Sequence, residues 1–427
     1  MRRAVAIELA ESVLKGLTKK FPQVALLRSN NSTGRNIVAL GCLDELIICA
    51  ADKHNPIAAL AEFHQKHEDW IFGYLTYEVK DSLENLSSAN LDQQQWPLLR
   101  FFRPEWIVAW KDRETTLYLL PDQKPDDFFE LIGEGSNENT DAIPIPVLQP
   151  ALSREDYLKA VNRVKEHIQQ GDVYELNYTF PLEARVPALD TFELYKRVNN
   201  ATRAPFSVYY HDQHHSLICG SPERYLRKTG KELISQPIKG TMRRGSPGED
   251  DLLKEMLRND PKERAENIMI TDLVRNDLSR VAAPKSVVVD ELCEIYTFHT
   301  VHQMISTIRA ELAEDCSGWD ALRTSFPMGS MTGAPKIRAM ELIEELEVRR
   351  RGLYSGAFGL VFPNGDFDFN VVIRSLLYSR ENGMLALHTG SAITAASVPE
   401  QEYDECMLKA EALLRAINNP TDVPAVS

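Results

Sequence analysis

Four short apolar runs follow one another between residues 206 and 235 with no helical stretch between them: Phe206-Ser-Val-Tyr-Tyr210, Ser216-Leu-Ile-Cys219, Tyr225-Leu-Arg227 and Glu232-Leu-Ile-Ser235. Each reads as a strand. Val173 to Phe180 reads as another, as do Ile37–Leu40, Leu46–Ala50 and the aromatic run Trp70 to Glu78. Gly73 inside that aromatic run marks a bulge or a close backbone approach. Trp106–Trp110 and Thr116–Leu120 form a hairpin pattern. Helical spacing covers 4–20, 58–67, a stretch opened by the capping box Ser153-Arg-Glu-Asp156 and running to Gln170, and 250–280, after which strands, long helices and glycine-rich turns mix to the end. This order excludes a regular strand–helix alternation. It predicts an α+β fold with a large antiparallel sheet core and helices outside it.

The 427 residues are 43% hydrophobic and 26% charged, a globular mixture long enough for two or three domains or one elaborate core. Residues 121–150 are polar and turn-rich, including Gly133-Glu-Gly-Ser-Asn-Glu-Asn139. They read as a surface linker between an N-terminal region (1–120) and a main body (151–418). The net charge of −14 argues against nucleic-acid partners. Small basic clusters such as Arg243-Arg244 leave room for a local anion site. Six scattered cysteines without a Cys-x-x-Cys pair suggest reduced thiols and a cytoplasmic protein. A charge interrupts the first apolar run too early for a signal peptide, and no run is long enough to span a membrane.

Several segments carry chemistry-bearing side chains. Lys239, in Ser235-Gln-Pro-Ile-Lys-Gly-Thr241, lies between an apolar and a small residue. Desolvation there would lower its pKa and free a nucleophilic lone pair; a strand-end lysine reaching water is the plainer reading. Glu263 and Glu266 are three apart on one predicted helix, and Glu402, Glu405 and Lys409 share a face of another, opened by Ser397-Val-Pro-Glu400. Two such carboxylate pairs could hold Mg²⁺, although this spacing is also common on solvated helix faces. Phe326 to Met340, containing Gly333-Ala-Pro-Lys336, offers either exposed amides for an anion or a structural turn, and is not a Walker loop. Arg374 closes an apolar strand as a carboxylate clamp or as half of an ion pair. His211, His214 and His215 fit a hairpin loop better than a metal cluster. His302, near the start of a helical stretch, could donate to a substrate oxygen or cap a core.

Together these segments resemble the chorismate-utilising enzymes, a family that includes anthranilate, aminodeoxychorismate, isochorismate and salicylate synthases. The resemblance covers most of 153–413. It rests on Gly171-Asp-Val-Tyr-Glu-Leu-Asn177, Gly220-Ser-Pro-Glu-Arg224, Pro237-Ile-Lys-Gly-Thr241, Glu263-Arg-Ala-Glu-Asn267, Asp272–Asp277, Gly333-Ala-Pro-Lys336, Arg350-Arg-Gly352 and Pro399–Glu405. It implies two antiparallel sheets packed as a sandwich, surrounded by helices, with the site between them. It also implies Mg²⁺ bound by Glu266 and Glu405 with Glu263 and Glu402 in support. Glu223 is implied as general acid/base. Tyr354, Arg374 and the Gly390 turn are implied to hold the enolpyruvyl carboxylate, with Ser330, His302 and Lys409 nearby.

Lys239 separates the members. Anthranilate synthases usually carry alanine at that position, whereas Pro-Ile-Lys-Gly-Thr resembles aminodeoxychorismate synthase component I. There the lysine is understood to attack carbon 2 of chorismate, expelling the 4-hydroxyl before ammonia adds at carbon 4. No glutaminase domain stands in the chain, so the resemblance implies a separate glutamine amidotransferase subunit supplying ammonia. Met242-Arg243, Gly390-Ser-Ala-Ile393 and Ala396 depart from the usual pattern. The alternatives are anthranilate synthase component I and a non-catalytic relative that binds chorismate without turnover.

Overall fold

Strands whose residues are apolar on both faces need a core on each side, and the larger of two sheets has both. Leu217 and Cys219 face one hydrophobic core while Ile218 faces the other; Ile37 and Ala39 alternate in the same way with Val38 and Leu40. The computed structural model describes residues 2–8, 14–31, 34, 36–52, 54–112, 114–133, 145–246, 248–299 and 301–418. Among them, one sheet has twelve strands in the order Arg3–Ile7, Glu114–Leu119, Trp106–Lys111, Asn36–Leu40, Val24–Arg28, Phe206–His211, His215–Ser221, Ser375–Ser379, Met384–Ile393, Glu175–Arg185 and Gly333–Ala334. Gln149–Pro150 adds against Glu175–Arg185.

The second, ten-stranded sheet runs Ile238–Arg243, Val301–Glu311, Glu232–Gln236, Arg224–Thr229, Phe367–Val371, Ala357–Val361, Ile71–Leu75, Leu99–Arg103 and Asp44–Ile48, with Val288–Thr297 also on Val301–Glu311. Every pairing within the two sheets is antiparallel. One core lies between the sheets, joining Val208, Tyr210 and Leu217 of the first to Phe72, Phe101 and Phe369 of the second. The other lies between the larger sheet and helices, with Tyr157 and Val161 of Arg154–Gln170 and Ala410 and Leu413 of Pro399–Asn418. The α+β sandwich is therefore the fold, its strands fixed by burial on both faces.

Local signals hold at several helix ends. Ser153 Oγ accepts from Asp156 N at 3.1 Å, and Gly171 closes the helix in the left-handed region at φ +83°. Asp260 caps Pro261–Ser279 by accepting from Lys262 N and Glu263 N, with proline at the first helical position. Other readings differ. Arg3–Ile7 is a strand, because pairing with Glu114–Leu119 supplies its backbone partners; the helix spans only Leu14–Lys20, and 9–13 lie outside the described residues. Segment 301–311 is a strand, not a helical stretch. Ser397 closes the preceding turn by accepting from Thr394 N, so it does not form the capping box expected of it.

Both sheets draw strands from before and after 121–150, so the portion up to residue 120 shares its core with the rest. A composition shift reports exposure of a segment, not a break in strand pairing. Part of that segment is the helix Pro125–Gly133, with Phe128 packed 5.4 Å from the Trp106 ring; 134–144 lie outside the described residues. All six cysteines are free, and among the described residues no helix is long and apolar enough to cross a membrane.

Gly73 shows why that aromatic strand carries a glycine. A Cβ there would lie 2.1 Å from the carbonyl oxygen of Arg100, in the middle of the ten-stranded sheet. Gly73→Ala is expected to cost about 1–3 kcal/mol through overpacking, measured as a lower urea midpoint. An unchanged midpoint would show that the sheet yields at this position.

Candidate active site

The strand Ile238–Arg243 pairs with Val301–Glu311 through a register shift: Ile238 lies opposite Ile305 and Thr241 opposite Gln303. One extra residue therefore sits on the 238–243 side, a β-bulge, with Gly240 supplying the left-handed turn at φ +90°. The bulge swings Lys239 off the ladder into a cavity of about 780 Å³ between the ends of the two sheets. Gly240 packs close to the opposite helix, where a Cβ would lie 3.2 Å from Glu263 Cβ.

Lys239 Nζ donates to Glu175 Oε1 at 2.7 Å. Burial alone would depress this lysine, but Glu175, Glu266 and Glu223 outweigh it, and its pKa stands above the ordinary value. The expectation of a desolvated amine with lowered pKa is thus corrected: without substrate, the side chain is an ammonium. Burial is present as expected, but it comes with three carboxylates.

Glu223 lies on the same cavity wall. Burial pushes its carboxyl up to about 7 against the pull of its Ser330 hydrogen bond and the Lys239 charge. Ser330 Oγ donates to Glu223 Oε1 at 2.6 Å from the short turn Gly329–Met331. A carboxyl held near neutrality beside a cationic amine can serve as a proton donor at physiological pH.

Three of the four predicted metal carboxylates face this cavity: Glu263 and Glu266 from Pro261–Ser279, and Glu405 from Pro399–Asn418. Burial pushes Glu266 up to about 8, with Glu175 and Glu263 adding and Lys239 and Lys262 opposing. Glu263 is raised by burial and by Glu405. Burial also works against ionisation of Glu405, but Lys409, 2.5 Å away, holds it below the usual range. Glu402 does not line the cavity; it is buried and accepts from Lys262 Nζ at 3.0 Å. Lys262 stands one turn before Glu266 and draws Glu402 towards it. Among the described residues no three acidic, histidine or cysteine side chains converge as a ready-made ligand shell. The buried Glu266 Oε1 has no hydrogen-bond partner, which suits a cation held by one or two carboxylates with water completing its shell.

The cavity lining also carries a cationic and an aromatic group. Arg374 lines the cavity, has φ +51°, and among the described residues makes no salt bridge. Burial lowers its pKa, opposed by the nearby Tyr354 hydroxyl and the Glu405 carboxylate. The Tyr354 ring stacks on His388, centroids 4.9 Å apart. Gly390 sits on Met384–Ile393, where a Cβ would lie 2.5 Å from the carbonyl oxygen of Tyr178; its own carbonyl accepts from Lys409 Nζ at 3.1 Å. An unpaired guanidinium beside a tyrosine is suited to a planar carboxylate.

His302 does not join this site. It is fully buried, bonded through Nε2 to Asp250 at 3.2 Å and through Nδ1 to Thr297 at 3.0 Å. Strand alternation instead turns Val301 and Gln303 to the cavity, and the buried Gln303 Oε1 has no hydrogen-bond partner. Reading 301–311 as a strand would have found it. Glu175 was also overlooked, although a carboxylate at the start of a largely apolar strand pattern was visible. The Gly333-Ala-Pro-Lys336 turn does not line the cavity. Gly333 and Ala334 pair with Leu176 and Glu175, a Gly333 Cβ would lie 2.1 Å from the Glu175 carbonyl oxygen, and Lys336 pairs with Asp277. Arg351 is a buried strut, bonded to Glu347 and to the carbonyls of Asn177 and Met331.

The sequence profile of chorismate binding enzymes matches residues 23–415. The chain is 35% identical over 359 residues to anthranilate synthase component 1 of Thermus thermophilus, covering 81% of this chain and 77% of that one. It is 33% identical over 362 residues to aminodeoxychorismate synthase component 1 of Bacillus subtilis, covering 81% and 76%. A probable chloroplastic aminodeoxychorismate synthase of Oryza sativa subsp. japonica is 40% identical over 269 residues, 62% of this chain but only 30% of the rice protein. The fold matches that of anthranilate synthase component I from Streptococcus pneumoniae, with a TM-score of 0.80 at 23% identity over 90% of this chain and 93% of that one. It also matches the menaquinone-specific isochorismate synthase from Escherichia coli, with a TM-score of 0.78 at 17% identity over 98% and 95%. With the profile spanning nearly the whole described chain and both sheets in place around the cavity, this chain belongs to the family of chorismate binding enzymes.

Proposed function

We propose that this chain is the chorismate-aminating component of an aminodeoxychorismate synthase. It would convert chorismate and ammonia to 4-amino-4-deoxychorismate, for p-aminobenzoate and folate synthesis, with ammonia delivered by a separate glutamine amidotransferase subunit. The observation that carries this reading is the bulge that presents Lys239 to the cavity on the same wall as Glu223. Relatives with either amination activity are about equally similar over most of the chain, so the distinction from anthranilate synthase rests on this lysine.

In this reading Arg374 and Tyr354 bind a substrate carboxylate, with the Gly390 backbone close beside them. Glu266 and Glu405, with Glu263, are the residues that would hold Mg²⁺, which when bound would neutralise the ring carboxylate. Lys239, as its neutral amine, attacks carbon 2; the ring double bond shifts, and Glu223 gives its proton to the departing 4-hydroxyl as water. Ammonia then adds at carbon 4 and the electron pair of the carbon–nitrogen bond returns to Lys239. Glu402, which accepts from Lys262, would stand behind the cation-holding glutamates in support.

Incubation with chorismate, Mg²⁺ and ammonium should yield 4-amino-4-deoxychorismate by liquid chromatography; fluorescent anthranilate as the product would contradict the reading. Lys239→Ala should lose that product or leave weak anthranilate formation. Glu223 is protonated below about pH 7 and ionised above it. The acid form is therefore lost as pH rises, and kcat/KM should fall on the alkaline side with a midpoint near 7. A rate that keeps rising through that range would remove Glu223 as the proton donor. Glu266→Gln or Glu405→Gln should weaken Mg²⁺ binding in calorimetry about tenfold or more while leaving thermal unfolding unchanged. Undiminished Mg²⁺ affinity in both variants would place the cation elsewhere.

A further inference from the structure

Glu175 makes the hydrogen bond that holds Lys239. Its carboxylate is almost wholly buried; Oε1 accepts from Lys239 Nζ at 2.7 Å, and Oε2 is buried with no hydrogen-bond partner. The backbone beneath it is fixed twice, by pairing with Ala334 and by the close approach of Gly333 to its carbonyl. Lys239 belongs to the ten-stranded sheet and Glu175 to the twelve-stranded one, so the pair crosses the gap between the sheets at the cavity. A carboxylate so buried, with one oxygen on the amine and the other unbonded, has room to accept a proton that a satisfied structural ion pair would lack.

We propose that Glu175 is the proton partner of Lys239: it holds the side chain in place as an ammonium, takes a proton from Nζ so that the amine can attack, and returns it when the amine leaves. This rests on the amination reading given above. The balance is closed. One proton moves from Nζ to a Glu175 oxygen, the freed lone pair forms the bond to carbon 2, and the ring electrons expel the 4-hydroxyl, which leaves as water with the Glu223 proton. Ammonia's lone pair then bonds to carbon 4, the ring electrons shift back, and the carbon 2–nitrogen bond breaks with its electron pair returning to Nζ. Glu175 gives its proton back, and the surplus proton on the new amine restores Glu223.

The carboxylates acting on Nζ are Glu175, Glu266 and Glu223, with Glu405 also in its field, and only Glu175 is hydrogen-bonded to it. Two measurements on the full chain separate this role from a structural one. The first needs no chorismate: acetic anhydride labelling of Lys239, read by peptide mass spectrometry against the exposed lysines. Glu175→Gln should raise labelling at neutral pH about tenfold or more, because burial without its partner lowers a lysine pKa. Glu175→Asp, which keeps the charge, should label close to wild type. The second is turnover: Glu175→Gln should lose about 100-fold or more in kcat, keep chorismate affinity within about threefold, and recover partly as Glu175→Asp. Unchanged labelling in Glu175→Gln, or turnover within about threefold of wild type, overturns the proposal. A wild-type protein that does not aminate chorismate counts instead against the amination reading, while the labelling still decides the pairing by itself.

Discussion

One buried ion pair, Lys239 with Glu175, joins the two halves of the sandwich where they open onto the cavity. Each partner depends on a local irregularity. Lys239 needs the bulge and the left-handed Gly240; Glu175 needs the short Gly333–Ala334 strand that anchors its backbone. Glycine at 333 is required because any side chain would collide with the Glu175 carbonyl. A buried pair of this kind contributes little net stability, since desolvation of both charges offsets their attraction. Its value lies in placing a charged nitrogen at a defined point in a cavity that both sheets build.

The cavity lining carries charges of both signs. Glu263, Glu266, Glu405 and Glu223 line it together with the amine, and two of them are pushed to about 7 and about 8 by burial. Arg374 and Tyr354 line it too, Arg374 within the field of Glu405 and without a salt bridge among the described residues. Such an arrangement is costly for the empty protein, because several carboxylates and one cation are buried without full compensation. It suits a small dianion that brings carboxylates to Arg374 and shares a cation with the acidic helices. Lys409 and Lys262 moderate the acidic helices, the first against Glu405 and the second against Glu402.

The antiparallel sheet core was legible because successive short apolar runs without intervening helices leave few alternatives to antiparallel pairing, whereas its division into two packed sheets was implied only by the family resemblance. The exact register was not legible: Arg3–Ile7 carries spacing that suits a helix, and only its neighbour Glu114–Leu119 decides otherwise. The same limit applied to 301–311. Read as a helix start, it offered His302; paired as a strand, it turns His302 into the core and Gln303 to the cavity. Lys239, Glu223, Ser330, Tyr354, Arg374, Gly390, Lys409 and three of the four glutamates, singled out partly by spacing and largely by the family resemblance, all line one cavity. Glu402 falls outside the cavity lining, which spacing along one helix could not show, because Lys262 on the facing helix donates to its carboxylate. The sign of the Lys239 shift was missed for a related reason: burial can be inferred from neighbours in sequence, but three carboxylates from distant segments cannot.

Covalent attack by Lys239 is tested most directly by stopping the reaction before ammonia can release it. Protein mixed with chorismate and Mg²⁺ in the absence of ammonium, quenched with acid and digested, can be mapped by mass spectrometry. Nucleophilic attack predicts a Lys239 peptide heavier by one chorismate less one water, cleared when ammonium is added before the quench. An unmodified Lys239 peptide from protein that turns over fully once ammonium is supplied would contradict it.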